Sequence, residues 1–130
     1  MIKSKKINCI EQWKKIILSG DTNNLNEIIH KKAVFYSPVV FTPQVGKKAV
    51  SRYLSTAVEV FQKRNFRYIR SINNENNTYA EFEAKFGSII VNGIDFISIN
   101  SNLIYEFKVY LRPLQGLEVV WEEMKSRLQQ

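Results

Sequence analysis

The chain has 130 residues, of which 45% are hydrophobic and 24% are charged, and its formal net charge is +7. These values are typical of a single globular domain, here residues 1–130, whose core is large enough to fold without a metal or a disulfide. The single cysteine, Cys9, excludes an intrachain disulfide, and no apolar run approaches the ~18 residues that a membrane span needs.

Most of the positive charge lies in residues 1–70, and a basic half-chain can attract nucleic acid or other anionic partners. The lysines, however, form separate pairs on different predicted elements, without the interleaved aromatic residues that single-strand binding uses. We therefore expect no nucleic-acid partner and no membrane partner. The basic residues 1–6 precede an apolar run that is too short for a secretory signal, so we expect a cytoplasmic location.

The first half of the chain predicts mainly helices. Ile10, Trp13 and Ile17 recur at helical spacing, and Gly20 is placed to end that first helix. A short second helix is expected to end at His30, where a histidine interacts favourably with the helix C-terminus. The predicted elements are helix 7–18, a short helix ending near residue 30, strand 33–37, an extended loop 38–43 and helix 47–62.

From Phe66 onward the apolar residues alternate with a period of two, which is typical of strands. Polar turns separate four predicted strands, 66–72, 79–87, 89–100 and 103–112. Beyond Pro113, apolar residues at spacings of three and four, from Leu114 to Leu128, predict a last helix. Strands in series with segregated helices indicate the α+β class rather than a parallel doubly wound sheet.

Three sequence stretches carry a family resemblance: FYSPVV at 35–40 with Gly46-Lys47 after it, VNGID at 91–95 and FKVYLRPL at 107–114. With the order of elements, they resemble the nuclear-transport-factor-2-like superfamily, and most closely the small bacterial SnoaL-like proteins of ketosteroid-isomerase-like fold. The resemblance implies a cone-shaped, strongly bent antiparallel sheet packed around helices, with an apolar cavity. It also implies a homodimer formed through the sheet.

Asp95 is the candidate for chemistry. It shares its strand face with Val91, Gly93 and Ile97, and a carboxyl on an apolar face is paired, protonated or turned to a cavity. The resemblance implies that Asp95 matches a cavity aspartate that donates a hydrogen bond to a substrate oxyanion. It also places Ser37 where the isomerases have their basic aspartate and Trp13 where they have a tyrosine.

The aromatic residues are numerous for this length, and some of them are expected to wall an apolar ligand pocket. The last strand leaves two choices, since either its charged face, with Arg112, or its apolar face, with Phe107, could line that pocket. Cys9 is expected to be a buried, inert thiol, and the sequence shows no pattern for a metal or another cofactor. The predicted pocket residues are Trp13, Tyr36, Ser37, Phe41, Tyr53, Phe82, Asp95 and Phe107.

Three functions stay open, because this fold hosts both enzymes and binders. The first is a small-molecule-binding protein whose ligand is apolar or carries a carbonyl group. The second is a cyclase or isomerase acting on a hydrophobic carbonyl compound, with Asp95 as catalytic acid or hydrogen-bond donor. The third is a dimeric interaction module that uses the outer face of the sheet.

Overall fold

Three α-helices and a six-stranded sheet form the part of the chain that the computed structural model describes, residues 8–129. The predicted basic segment 1–6 and Ile7, the first residue of the predicted first helix, lie outside it. The helices are α1 (Cys9–Ser19), α2 (Lys47–Phe61) and α3 (Leu114–Leu128), and a 3-10 turn, Leu25–Ile28, follows α1. The strands are β1 (Ile29–Tyr36), β2 (Gln44–Val45), β3 (Arg67–Asn73), β4 (Asn77–Phe86), β5 (Ile89–Asn100) and β6 (Leu103–Arg112).

The sheet has the strand order β2-β1-β6-β5-β4-β3. Four of the neighbouring pairs are antiparallel, whereas β1 runs parallel to β6, with Phe35 beside Phe107. A parallel pair needs a long crossover, and here α2 and the β3–β6 meander lie between the two strands. The predicted α+β class and curved sheet are confirmed, and the sheet is mixed rather than wholly antiparallel.

Alternation along the strands sorts side chains between an inner face against the helices and an outer face. On β4, Ala80, Phe82 and Ala84 are buried, while Glu81 and Glu83 lie on the outer face and pair with arginines of β3. This alternation is typical of an antiparallel sheet covered on one side. On β6 the apolar side chains turn inward, so the charged face with Arg112 is the outer one.

The second predicted helix is a correction. Only a single 3-10 turn forms, and His30 lies on β1 instead of at a helix end. Its Nδ1 accepts a hydrogen bond from the Lys32 N–H at 3.0 Å, and its ring packs edge-on against Tyr105. The predicted interaction with a helix C-terminus is therefore wrong, because a run of β1 pairing with β6 replaces the helix.

The last helix forms as predicted, but the face that it buries differs from the predicted apolar stripe. Gly116, Val120 and Met124 are buried, whereas Leu114, the first residue of the predicted apolar stripe, is 70% exposed. A side chain at Gly116 would lie 3.2 Å from the Val91 side chain, so the absence of one lets α3 approach β5 closely.

Ion pairs join α3 to α2 and to the segment that follows α2. Arg127 lies 3.7 Å from Glu59 and Arg64 lies 3.5 Å from Glu123. Within residues 8–129, no helix has both the length and the apolar character that crossing a membrane would take.

Candidate functional site

Three side chains from three elements form a hydrogen-bonded chain that ends at Asp95. The Trp13 indole N–H donates to the Tyr68 hydroxyl oxygen at 2.8 Å, and the Tyr68 hydroxyl donates to Asp95 Oδ2 at 2.6 Å. An indole nitrogen only donates, so the Tyr68 oxygen accepts from Trp13 and the Tyr68 proton stays available for Asp95. The Tyr68 proton is thereby directed to the carboxyl.

Local sequence explains how these side chains meet. Asp95 lies on the inner face of β5 with Val91 and Ile97, and its cross-strand neighbours are the small Ala80 and Val109. A Cβ atom at Gly93 would lie 2.4 Å from Phe82 Cζ and 2.6 Å from the Tyr110 carbonyl oxygen. Only glycine therefore lets the Phe82 ring lie across β5 next to Asp95.

Burial raises the pKa of both the Asp95 carboxyl and the Tyr68 phenol. Asp95 is 5% exposed, and burial raises its pKa from 3.8 to about 7, against the opposing effect of the Tyr68 hydrogen bond. Burial and then the Asp95 charge raise the pKa of Tyr68 well above its ordinary value of 10. Tyr68 consequently keeps its proton as a donor, while Asp95 changes its protonation state near neutral pH.

Only one oxygen of the Asp95 carboxyl accepts a hydrogen bond from the described residues. Tyr68 bonds to Oδ2, and no hydrogen bond from residues 8–129 reaches Oδ1. Within those residues, every side-chain nitrogen or oxygen fully shielded from solvent has a hydrogen-bond partner. Oδ1 therefore retains some accessible surface, and Asp95 is one of the residues that line the inner cavity described next.

Two small cavities lie between the sheet and the helices. The inner cavity, of about 30 Å³, contains Asp95 and is otherwise walled by apolar and aromatic side chains. The outer cavity, of about 40 Å³, lies under α3 and is walled almost wholly by carbon. Among the described residues, no three His, Cys, Asp or Glu side chains lie close enough together to hold a metal ion.

The structure divides the predicted pocket residues between these cavities. Four line the inner cavity: Trp13, Phe82, Asp95 and Phe107. Ser37 and Tyr53 line the outer cavity instead. The Ser37 hydroxyl oxygen accepts hydrogen bonds from the N–H groups of Val39 and Val40, at 3.1 and 3.3 Å. The residue at the position of the isomerase base is thus engaged in a turn, in a different cavity from Asp95.

Two predicted pocket residues line neither cavity. Phe41 is 99% exposed, because the loop that carries it turns its side chain into solvent. Tyr36 lies next to Lys108 across the β1–β6 pair, with the ammonium 4.7 Å from its ring centroid. The neighbouring Phe35 points inward in its place, as strand alternation requires.

Sequence reasoning missed Tyr68, the link between the other two polar groups. Its place two residues after Phe66 was the available signal, since Phe66 also lines the inner cavity. The sequence did not decide which face of the last strand lines the pocket. The structure shows that it is the apolar face, and Val109 on that face lines both cavities. Burial raises the pKa of Cys9 to about 11, so this thiol is not a nucleophile near neutral pH.

Solved structures resemble the chain closely in three dimensions. A steroid delta-isomerase from Pseudomonas aeruginosa superposes with a TM-score of 0.87 at 33% sequence identity, covering 93% of this chain and 89% of that one. A bacterial protein with a cystatin-like fold from Silicibacter pomeroyi gives 0.85 at 24% identity, covering 93% and 85%. An NTF2-like protein of unknown function from Mesorhizobium loti gives 0.72 at 14% identity, covering 81% and 88%.

Comparisons of sequence alone find no match. No protein-family model matches the chain, and no curated protein matches it significantly. The P. aeruginosa structure nevertheless combines an identity of 33% with coverage of most of both chains, and the NTF2-like structure shares the fold. The chain therefore belongs to the nuclear-transport-factor-2-like superfamily, among proteins of ketosteroid-isomerase-like fold.

Proposed function

We propose that the protein binds a neutral, mainly apolar small molecule through one carbonyl oxygen, which accepts a hydrogen bond from protonated Asp95. The observation that carries the proposal is the Trp13–Tyr68–Asp95 chain, which occupies Oδ2 and leaves Oδ1 without a bond from the described residues, on a residue that lines an otherwise apolar cavity. Ligand sites of this kind combine carbon walls with a few placed polar groups. With Oδ2 accepting from Tyr68, the carboxyl proton resides on Oδ1 and is directed at the ligand.

This arrangement predicts that binding weakens as the pH rises. Above a pKa of about 7 the Asp95 carboxylate has no proton to donate and repels a carbonyl oxygen. At pH 9 roughly 1% of the protein remains competent, so affinity should be roughly 100-fold lower than at pH 6. Calorimetric titration with a cyclohexanone that carries a pentyl chain opposite its carbonyl measures this change.

The matched variant is Asp95→Asn, whose amide donates at every pH while its oxygen still accepts from Tyr68. It should bind the ketone with an affinity that does not change between pH 6 and pH 9. Asp21→Asn, which alters the other aspartate of the chain on the exposed surface, should behave as wild type. A wild-type affinity that is independent of pH would contradict the assignment of Asp95 as donor.

The similarity to a steroid delta-isomerase supports a second candidate, an isomerase or cyclase acting on a hydrophobic carbonyl compound. General acid–base catalysis needs a second positioned group, and among the described residues the inner cavity adds only the Trp13 indole N–H, which already bonds to Tyr68. The geometry thus favours binding. Protein-dependent deuterium exchange beside the ketone carbonyl, abolished in Asp95→Asn, would instead favour the isomerase.

The outer face of the sheet supports a further part of the proposal, a homodimer. Four side chains on adjacent strands, Tyr79, Ile94, Phe96 and Tyr110, form a contiguous surface that we call the outer patch. Ile94 pairs with Tyr110, and the rings of Tyr79 and Phe96 lie 4.6 Å apart. Contiguous exposed apolar groups of this kind are typical of protein interfaces.

We expect the wild-type protein to scatter light as a dimer and the Ile94→Glu variant to scatter as a monomer. A carboxylate at the centre of the outer patch would be desolvated without a partner on association. The control is Leu18→Glu, which adds the same charge at an exposed aliphatic residue of α1 and should leave the dimer intact. A wild-type monomer at high concentration would remove the dimer from the proposal.

A further inference from the structure

The inner and outer cavities are adjacent and share one wall. Four residues line both of them: Phe35 of β1, Ala57 and Phe61 of α2, and Val109 of β6. These four side chains, called the ring below, form the only wall that the described residues place in common between the two spaces. The ring is composed entirely of carbon groups, so it separates the cavities by packing and not by hydrogen bonds.

The order of residues along the sheet gives the two spaces a common axis. On β6, Leu111 lines only the outer cavity, Val109 lines both and Phe107 lines only the inner cavity. β1 runs parallel to β6, and there Phe35 lines both cavities, while Ser37, which directly follows β1, lines the outer cavity. Along both strands the lining therefore passes from the outer cavity to the ring, and on β6 it continues to the inner cavity at Phe107, with Asp95 of β5 opposite Val109.

On the helical side, Ala57 is the smallest residue that lines both cavities. Tyr53, Ala57 and Phe61 recur every four residues on one face of α2, and Ala57 has the smallest side chain of the ring. Although it faces the interior, Ala57 is only half-buried, whereas its neighbours Thr56 and Val58 are buried.

We propose that the two cavities are the ends of one ligand channel and that Ala57 sets its width. This inference rests on the proposed function. The ligand would be an elongated, neutral carbonyl compound that places its oxygen at Asp95 and its apolar tail under α3, beside Trp121 and Met124. The walls of the outer cavity are almost wholly carbon, so a charged tail is excluded. The ring side chains must part to admit it, because typical ligand pockets measure roughly 300–1,000 Å³.

The chain carries its own reporters for the two ends. It has two tryptophans, and Trp13 lines the inner cavity while Trp121 lines the outer one. In a Trp121→Phe background, fluorescence reports the inner end alone. When the Trp121→Phe protein shows no change in Trp13 fluorescence, any fluorescence change in the protein with both tryptophans comes from Trp121.

The experiment titrates the pentyl-substituted cyclohexanone into proteins that differ at Ala57. Ala57→Leu fills the ring, and leucine keeps the helix propensity of α2. Ala49→Leu is the control, since it makes the same change on α2 at a half-buried residue that lines neither cavity. Val109→Leu narrows the ring from the sheet side and replaces Ala57→Leu if that variant does not fold.

In the Trp121→Phe protein, which keeps Ala57, the fluorescence of Trp13 should change when the ketone is added. In Ala57→Leu this response should need roughly tenfold more ketone or disappear, because overpacking the ring opposes entry. Trp121 should still respond, and Ala49→Leu should match the parent protein. A Trp13 response that survives both Ala57→Leu and Val109→Leu would overturn the channel while leaving the proposed function standing. No response from either tryptophan in the parent protein would overturn both.

Discussion

The Asp95→Asn variant should be more stable than the wild type above pH 7, by on the order of 4 kcal/mol, and nearly equal to it at pH 4. Removing a charged residue seldom stabilises a protein by so much, but this carboxylate is buried and its neighbours are apolar. The amide keeps the bond from Tyr68 and carries no charge. Urea unfolding of both proteins, at a series of pH values from 4 to 9, measures the difference.

The direction of this pH dependence of the unfolding free energy follows from proton binding to Asp95. Folding raises the pKa of Asp95 from 3.8 to about 7, so between these values the folded state holds a proton that the unfolded state has released. The unfolding free energy therefore falls as the pH rises through this window, and it levels off above pH 7. The Asn variant lacks this group, and its stability should lack this part of the pH dependence.

Asp21→Asn again serves as the control, because it removes a carboxylate from the exposed surface near α1. Its stability profile should run parallel to that of the wild type. Parallel profiles for Asp95→Asn and the wild type, from pH 4 to pH 9, would show that Asp95 titrates as an ordinary carboxyl and would contradict its burial as a neutral acid.

The Tyr68→Phe variant should lose about 3–5 kcal/mol of stability at pH 8 and clearly less at pH 5. At the higher pH the buried Asp95 carboxylate loses its hydrogen-bond donor, and the Trp13 N–H loses its acceptor. At pH 5 Asp95 is protonated, so mainly the unpaired indole N–H remains as a cost. The phenylalanine ring preserves the contact with Lys14, whose ammonium lies 5.5 Å from the ring centroid.

Tyr79→Phe is the matched control, since it removes a phenol hydroxyl from the exposed outer face of the sheet. It should change stability by only a few tenths of a kcal/mol. Loss of the Tyr68 hydroxyl also removes a bond that favours ionised Asp95, so the pKa of Asp95 should rise further. An equal loss of stability at pH 5 and pH 8 would contradict the bond between Tyr68 and Asp95.

Much of the fold could be predicted from the sequence because its signals are local. Period-two alternation gave the strands β5 and β6 with the bounds that the structure shows, and helical spacing gave α2 to within one residue. The parallel pairing of β1 with β6 carries no local signal, so the mixed sheet was not foreseen. His30 illustrates the same limit, since pairing with a distant strand replaced the helix that its own sequence favours.

The site was predictable only in part. The parity argument placed Asp95 on an apolar strand face, and the structure puts it at a cavity. Tyr68 was not predicted although it shares the parity of Phe66, because its role rests on bonds to the distant residues Trp13 and Asp95, which no local pattern shows. Phe41 was misplaced for another reason, since the direction of a loop side chain depends on the loop path and not on a period.

The parallel pairing of β1 with β6 has a consequence for the order of assembly. β3 to β6 form a meander of neighbouring hairpins, whereas Phe35 of β1 finds its partner Phe107 far along the chain. Contacts between distant residues form late, because a long loop has to close first. During synthesis β1 and α1 therefore leave the ribosome well before β6, and Trp13 and Phe35 stay without their Phe107 contact until it emerges. The ligand channel is thus closed by the last strand to be made, and the outer end is covered only when α3 follows.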